Sequence, residues 1–348
     1  MAPAVTEPAA ARAVVATGMW TYSVSRERPA RLALLAVGLG LAFVLAWLAF
    51  NALAGPGFDP GRIAQLRFWG TNGWFEAALR AVLLGYTLIL TPLVLRSARR
   101  RIAQLRPILR GGPAAVEAAV VVVLAPPRLG RLVAGLVGAA VLLLLGFDIA
   151  IEGLGPFPPI AILWLSLFGW LIGRALFANL HVARSLSRLG ERELAIDLLD
   201  LRPLAPLVQW GLRTVLCWTI WFALMALFWI GPGPKYWLNA LGLLPLFAIA
   251  FGALFVPVRG VHRRIAEAKN RQLERLREEI RSALDAPSSA DDPARLANLV
   301  AYQSLVERVR EWPFDVSTLV RFGLYMTLGV GSWVGAALVE KLLGAALD

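Results

Sequence analysis

An apolar segment near the C-terminus, residues 317–343, carries a stripe of polar and small residues. At about 100° per residue, Thr318, Arg321, Tyr325, Gly329, Ser332, Ala336 and Glu340 share one face of a helix. Leu324, Val330, Val334, Leu338 and Leu342 lie off it. Such a stripe is wasted against lipid and is expected to face protein or water. Packed on the chain's own bundle, it is an interhelical contact. At the axis of an oligomer it lines a conduit, with Arg321 and Glu340 as rings of opposite charge at the two mouths. Gly331 and Gly335 add a small-xxx-small ridge to one side, where another helix can approach closely.

Few other charges fall within apolar stretches, where they are costly and usually paired or functional. Asp148 and Glu152 are four apart, hence on one helix face, either solvated at headgroup level or forming a cation-attracting outer vestibule. Arg80, Arg174 and Arg213 have stems long enough to reach an interface. A grouping of Arg80, Asp148 and Arg174 is the alternative binding site, for a small amphiphile. The single cysteine, Cys217, excludes an intrachain disulfide or thiolate cluster. His181 and His262 lack the additional ligands that a metal demands. With no phosphate-cradling glycine loop, nucleophile elbow or His-Glu-x-x-His, the expectation is no enzyme, no cofactor and no metal.

The elements that must position these residues are membrane spans. The chain is 58% hydrophobic, and crossing the hydrocarbon core takes about 20 apolar residues in a helix. Seven segments qualify: 32–54, 75–97, 131–153, 159–180, 206–230, 238–258 and 317–343. The run 114–125 is too short to cross and is expected at the interface or packed under the spans. No signal peptide precedes the first span. The net charge of +12 is asymmetric. With the N-terminus inside, cytoplasmic segments hold 27 Lys and Arg residues and outer segments 4. This bias orients the chain with N-terminus inside and C-terminus outside, against an anionic inner leaflet, and leaves no nucleic-acid role. Tryptophans such as Trp20, Trp69, Trp74, Trp164, Trp210, Trp229, Trp237 and Trp312 fall near predicted span ends, as interfacial anchors do.

The fold expected is an all-α, seven-transmembrane helical bundle. It divides into a cytoplasmic N-terminal segment (1–31), six membrane helices (32–258), a cytoplasmic helical hairpin (259–312) and the final span with the C-terminus (313–348). Val261, Ile265, Ala268, Leu273, Leu276, Ile280 and Leu284 continue span six as an apolar stripe on a charged helix. Asp292-Pro293 opens a second helix as N-cap and first-turn proline. Trp312-Pro313-Phe314-Asp315 stops it, because proline disfavours helical geometry in the residue before it. Asp315 or Ser317 can then cap the last span. This joint is the candidate point at which events in water couple to a helix in the bilayer; otherwise it is a plain corner at the membrane surface.

Three segments carry a resemblance: Leu198-Leu199-Asp200-Leu201-Arg202-Pro203-Leu204-Ala205-Pro206, Gly260-Val261-His262-Arg263-Arg264-Ile265, and Glu311-Trp312-Pro313-Phe314-Asp315. Over residues 180 to 345 the chain resembles a widespread family of uncharacterised bacterial integral membrane proteins, which implies an inner-membrane location and no particular activity. Its layout, with a sixth span prolonged into the cytoplasm and a split seventh, is also similar to the insect odorant and gustatory receptor superfamily. That likeness implies a tetrameric, ligand-gated cation channel with 293–312 as anchor and 317–343 as pore helix. Ser317-Thr318-Leu319 stands where those receptors start this helix with Thr-Tyr. The expected function is therefore an oligomeric, channel-like or sensory membrane protein with a small-molecule or ion ligand. The alternatives are a monomeric carrier and a scaffold presenting its basic helical pair.

Overall fold

A computed structural model of the protein describes residues 29–53, 67–68, 71–153, 158–227, 236–285 and 292–347. The N-terminal segment up to residue 28 lies outside them, with Trp20, Trp69 and Trp229. Among the described residues, nine α-helices follow in order: α1 (Pro29–Leu53), α2 (Gly73–Gln104), α3 (Gly112–Leu124), α4 (Arg128–Gly153), α5 (Pro158–Arg192), α6 (Ala205–Ala226), α7 (Tyr236–Asp285), α8 (Asp292–Glu307) and α9 (Val316–Leu347). A minimal antiparallel ladder pairs Arg67 with Asn72 and Phe68 with Thr71 just before α2. The other regular elements among the described residues are helical, as the apolar pattern predicts.

Among the described residues, four stretches are long and apolar enough to cross a membrane: Ala77–Gln104, Ala114–Leu144, Ile162–Arg192 and Arg202–Ala226. The second is not one rod, because Ala125-Pro126-Pro127 separates α3 from α4. Prolines here remove donors and bar the preceding residue from helical geometry. Helix α3, the run too short to cross, packs on α2 and α5. Its Ala119, Val120, Val123 and Leu124 are buried there, and the ring Nε2–H of His181 on α5 donates to the Val122 carbonyl at 3.3 Å.

Helix α5 sits at the centre, against α2, α3, α4 and α7. Its contact with α4 is backbone to backbone. A Cβ on Gly173 would lie 2.0 Å from the Ala134 carbonyl oxygen, and one on Gly138 would lie 2.3 Å from that of Gly169. Ala134/Gly138 and Gly169/Gly173 are facing pairs spaced by four, the device that lets apolar helices pack without large side chains. Helix α6 packs between α2, α7 and α9. Two of its tryptophans enter with their N–H groups satisfied by α2: Trp221 Nε1 donates to Thr87 Oγ1 at 2.9 Å, and Trp210 Nε1 to the Val94 carbonyl at 3.3 Å. A buried indole N–H without a partner carries a desolvation cost, and these bonds remove it.

Two cores result. One, in the body of the apolar helices, gathers Leu83, Leu84, Phe168, Trp218, Trp221, Phe222, Leu254, Phe322 and Met326. The other closes one end, where Ile102 and Leu105 of α2, Leu186 and Leu189 of α5, Trp210 of α6, and Val261 and Ile265 of α7 meet. There the loops after α2 and α5 join through a bridge between Leu109 and Leu194. Asp197 and Asp200 accept the backbone N–H groups of Leu199 and Arg202, turning the chain into α6.

Candidate functional site

Helix α7 is 50 residues long, about 75 Å at 1.5 Å per residue. Its first part packs in the bundle; its second is charged and carries α8 alongside. Phe251, Phe255, His262 and Lys269 recur at four, seven and seven residues, so they form one stripe along it. The segment linking α8 to α9 lies against that stripe.

The His262 imidazole stacks on the Trp312 indole at 4.1 Å between centroids, with planes 9° apart. Trp312 stacks in turn on Phe314 at 5.5 Å, and Phe255 meets both edge-on at 5.7 and 5.3 Å. Polar contacts run beside the rings. His262 Nδ1–H donates to the Glu311 carbonyl at 3.1 Å, and Lys269 Nζ to the Val309 carbonyl at 3.1 Å, with the Glu311 carboxylate 3.8 Å away. Carbonyls past a helix end have no partner in the helix itself. Here side chains of α7 supply it, so the end of α8 is held by the long helix.

Asp315 then starts α9. Its carboxylate accepts the Thr318 backbone N–H at 2.8 Å and the Ser317 hydroxyl at 2.8 Å, and also the Thr318 hydroxyl. This is N-capping by the residue preceding the first helical position. The hydroxyl and N–H donors from Thr318 and Ser317 favour the charged form and pull the Asp315 carboxyl down to about 2. Of the two capping candidates in the sequence, Asp315 performs the role and Ser317 supports it.

The polar stripe of the final helix is divided. Helix α9 packs on α6 through Thr318, Phe322 and Met326, which are 7%, 9% and 8% exposed. Gly329 is buried, Tyr325 is half-buried beside the same core, and Ser332 is half-buried with its hydroxyl turned back to the Gly329 carbonyl at 2.7 Å. Arg321 is exposed, beside the exposed Leu319 and Val320. Phe322 shares the edge of the polar stripe with Glu340, and Met326 stands beyond it. Gly331 and Gly335 have no described atom within 4 Å of where a Cβ would be, so no described helix of this chain occupies their ridge. The side chains of Ala336 and Glu340 lie outside the described residues, as do those of Asp148 and Glu152 near the end of α4. Of the intramembrane cations singled out in the sequence, Arg213 is exposed on α6 and the other two rest on aromatic faces. The Arg80 guanidinium lies 5.5 Å from the Trp164 ring centre and that of Arg174 5.6 Å from Trp170. Among the described residues, no three His, Cys, Asp or Glu side chains converge.

One feature escaped the sequence reasoning. Between α5 and α7 opens a cavity of about 380 Å³ lined by Arg184, Ser187, Arg188 and Glu191 on one side and by Val256, Arg259, Gly260 and Arg263 on the other. The signal was present as two arginine pairs four apart, Arg184/Arg188 and Arg259/Arg263, but it was absorbed into the overall charge bias. The segments Leu198–Pro206, Gly260–Ile265 and Glu311–Asp315 come together at this end of the bundle. Leu198, Leu201, Leu204, Val261, Ile265 and Val309 share one core, and Glu311 and Trp312 dock on His262. Family models, curated proteins and solved structures were all compared with the chain, and none matches it.

Proposed function

We propose that the chain is an inner-membrane protein of seven spans, N-terminus inside and C-terminus outside, that assembles as a homo-oligomer, a tetramer first of all. In this reading α9 gates an ion pathway, and the α7–α8 pair transmits a stimulus from the cytoplasm to it. The supporting observation is the joint: His262 and Lys269 of the long helix grip Glu311 and Val309, and Asp315 starts α9 three residues after the Trp312 ring. A rigid rod attached this directly to the root of an apolar helix transmits displacement rather than absorbing it. The open Gly331/Gly335 ridge favours a second copy as neighbour, since small residues there permit close helix approach. Division of the polar stripe favours gating over lining, because Thr318 and Gly329 are occupied by the chain's own bundle. The reading includes no catalytic activity, cofactor or nucleic-acid partner; its ligand is a small molecule or ion, and its surroundings are lipid.

The test is native mass spectrometry of the protein in nanodiscs, followed by single-channel recording of the same preparation. A closed oligomer with conductance that Ser332→Trp abolishes and Trp312→Ala alters supports the reading. A monomer without conductance overturns it and leaves the carrier and scaffold readings, which substrate uptake and capture of a cytoplasmic partner separate.

A further inference from the structure

We propose that the cavity between α5 and α7 binds the phosphate group of an anionic ligand carrying two or more negative charges. Each helix turns one face to it. Arg184, Ser187, Arg188 and Glu191 are spaced by three and four, as are Val256, Arg259, Gly260 and Arg263. Four guanidiniums against one carboxylate leave a formal charge of 4 − 1 = +3 around the opening. Among the described residues, none of the four arginines forms an ion pair or a hydrogen bond, and neither does Glu191. Like charges one helical turn apart repel, so both pairs await a counter-charge. Guanidinium forks match phosphate oxygens in geometry as well as charge.

The arrangement is held from below by backbone. A Cβ on Gly260 would lie 1.8 Å from the Ser187 carbonyl oxygen, and the Gly260 N–H donates to Ser187 Oγ at 3.0 Å. At Gly190 a Cβ would lie 2.5 Å from the Val261 side chain. The two arginine pairs therefore face each other across helices that touch, and little ordering is left for a ligand to impose. The volume is at the lower end of the range for small-molecule sites, enough for a headgroup. Leu180 and Val256 line the side toward the apolar bodies of the helices, and the arginines line the side toward the charged end. A phosphate with an apolar continuation fits this polarity, and so does a free phosphate ester in the arginine half. Orientation of the chain requires only basic residues on one side of the membrane. It does not require four of them on two helices to surround one cavity.

The site stands whether or not the protein conducts ions, and its test uses the full chain in phosphatidylcholine nanodiscs. One arm dopes the discs with phosphatidic acid and reads retained lipid by native mass spectrometry. The other adds inorganic pyrophosphate and reads a binding isotherm. Arg184→Gln with Arg188→Gln, and Arg259→Gln with Arg263→Gln, are each expected to weaken binding by about tenfold or more, as loss of charge-assisted bonds does. Arg275→Gln with Arg277→Gln, the same charge lost farther along α7, leaves it unchanged. Glu191→Gln removes the opposing carboxylate and tightens it. Retention of phosphatidic acid alone identifies a lipid headgroup, and pyrophosphate binding alone a soluble phosphate ester. Binding of neither probe overturns the proposal, as does equal weakening by the pocket and distal variants. If the double variants do not fold, unchanged or weaker binding by Glu191→Gln overturns it.

Discussion

The imidazole of His262 lies flat on the indole of Trp312, 4.1 Å away and 9° from parallel, although 49 residues separate Glu311, whose carbonyl accepts the same imidazole's N–H, from the histidine. This one contact fastens the segment before the final helix to the middle of the longest helix. In a double-mutant cycle, His262→Ala and Trp312→Ala are expected to couple by about 0.5–1.5 kcal/mol, the range for stacked aromatic pairs. Unfolding in denaturant measures it. Additive single effects would mean that the two rings are merely neighbours.

The crossing of α5 and α7 leaves no room for a methyl group at residue 260. Gly260→Ala therefore pushes the helices apart and is expected to cost about 1–3 kcal/mol, as overpacking does. Gly323→Ala is the matched control, since nothing lies within 4 Å of its Cβ position. There the substitution only relieves backbone entropy and stabilises by about 0.5–1 kcal/mol. Melting temperatures moving in opposite directions would verify both statements.

Thr87 on α2 accepts the N–H of Trp221, and both residues are buried. Thr87→Val keeps the shape and removes the acceptor, leaving an indole N–H unpaired at a cost of about 1–3 kcal/mol. Thr87→Ser keeps the hydroxyl and should recover most of that loss. Recovery by serine distinguishes the hydrogen bond from methyl packing.

The cap of the final helix titrates. Asp315 has a folded pKa of about 2 against an ordinary 3.8, so its contribution is complete above 3.8 and is lost as the pH falls through 2. The advantage of wild type over Asp315→Asn is expected to shrink across that window and to stay constant above it. Amide exchange at Thr318, whose N–H the carboxylate holds, reports the fraying directly. A wild-type curve parallel to that of the asparagine variant at every pH would remove the carboxylate from the cap.

Helix positions were legible because long apolar runs and their proline breaks act locally. The run 317–343 lies within Val316–Leu347, and 114–125 nearly coincides with Gly112–Leu124. Span six running on as a charged helix was also legible, since a stripe of Val261, Ile265 and Leu276 continues its period and arginine and glutamate favour helix. Helices α2 and α5 extend past their apolar parts for the same reason: Arg99–Arg101 and Arg184–Arg192 belong to good helical sequence although they do not suit lipid. The rotation of α9 was less legible. A polar stripe identifies a face that avoids lipid, but the contact is centred toward one edge of it, where Thr318 and Phe322 are buried together with Met326 just beyond. Partnerships between distant helices were not legible at all. Nothing in the spacing of Arg184 and Arg188 says that Arg259 and Arg263 stand opposite, and nothing around His262 points to Trp312.

The point where Gly260 meets Ser187 makes the long helix a lever with a fulcrum. From Gly260 to Asp285 the arm measures about 37 Å at 1.5 Å per residue. A tilt of about 10° there sweeps the far tip through about 6 Å, whereas His262, within one turn of the pivot, moves by about half an ångström. Under the proposed coupling, leverage runs in one direction: a broad, weak push on the outer end would arrive as a short, forceful one at the root of the final helix.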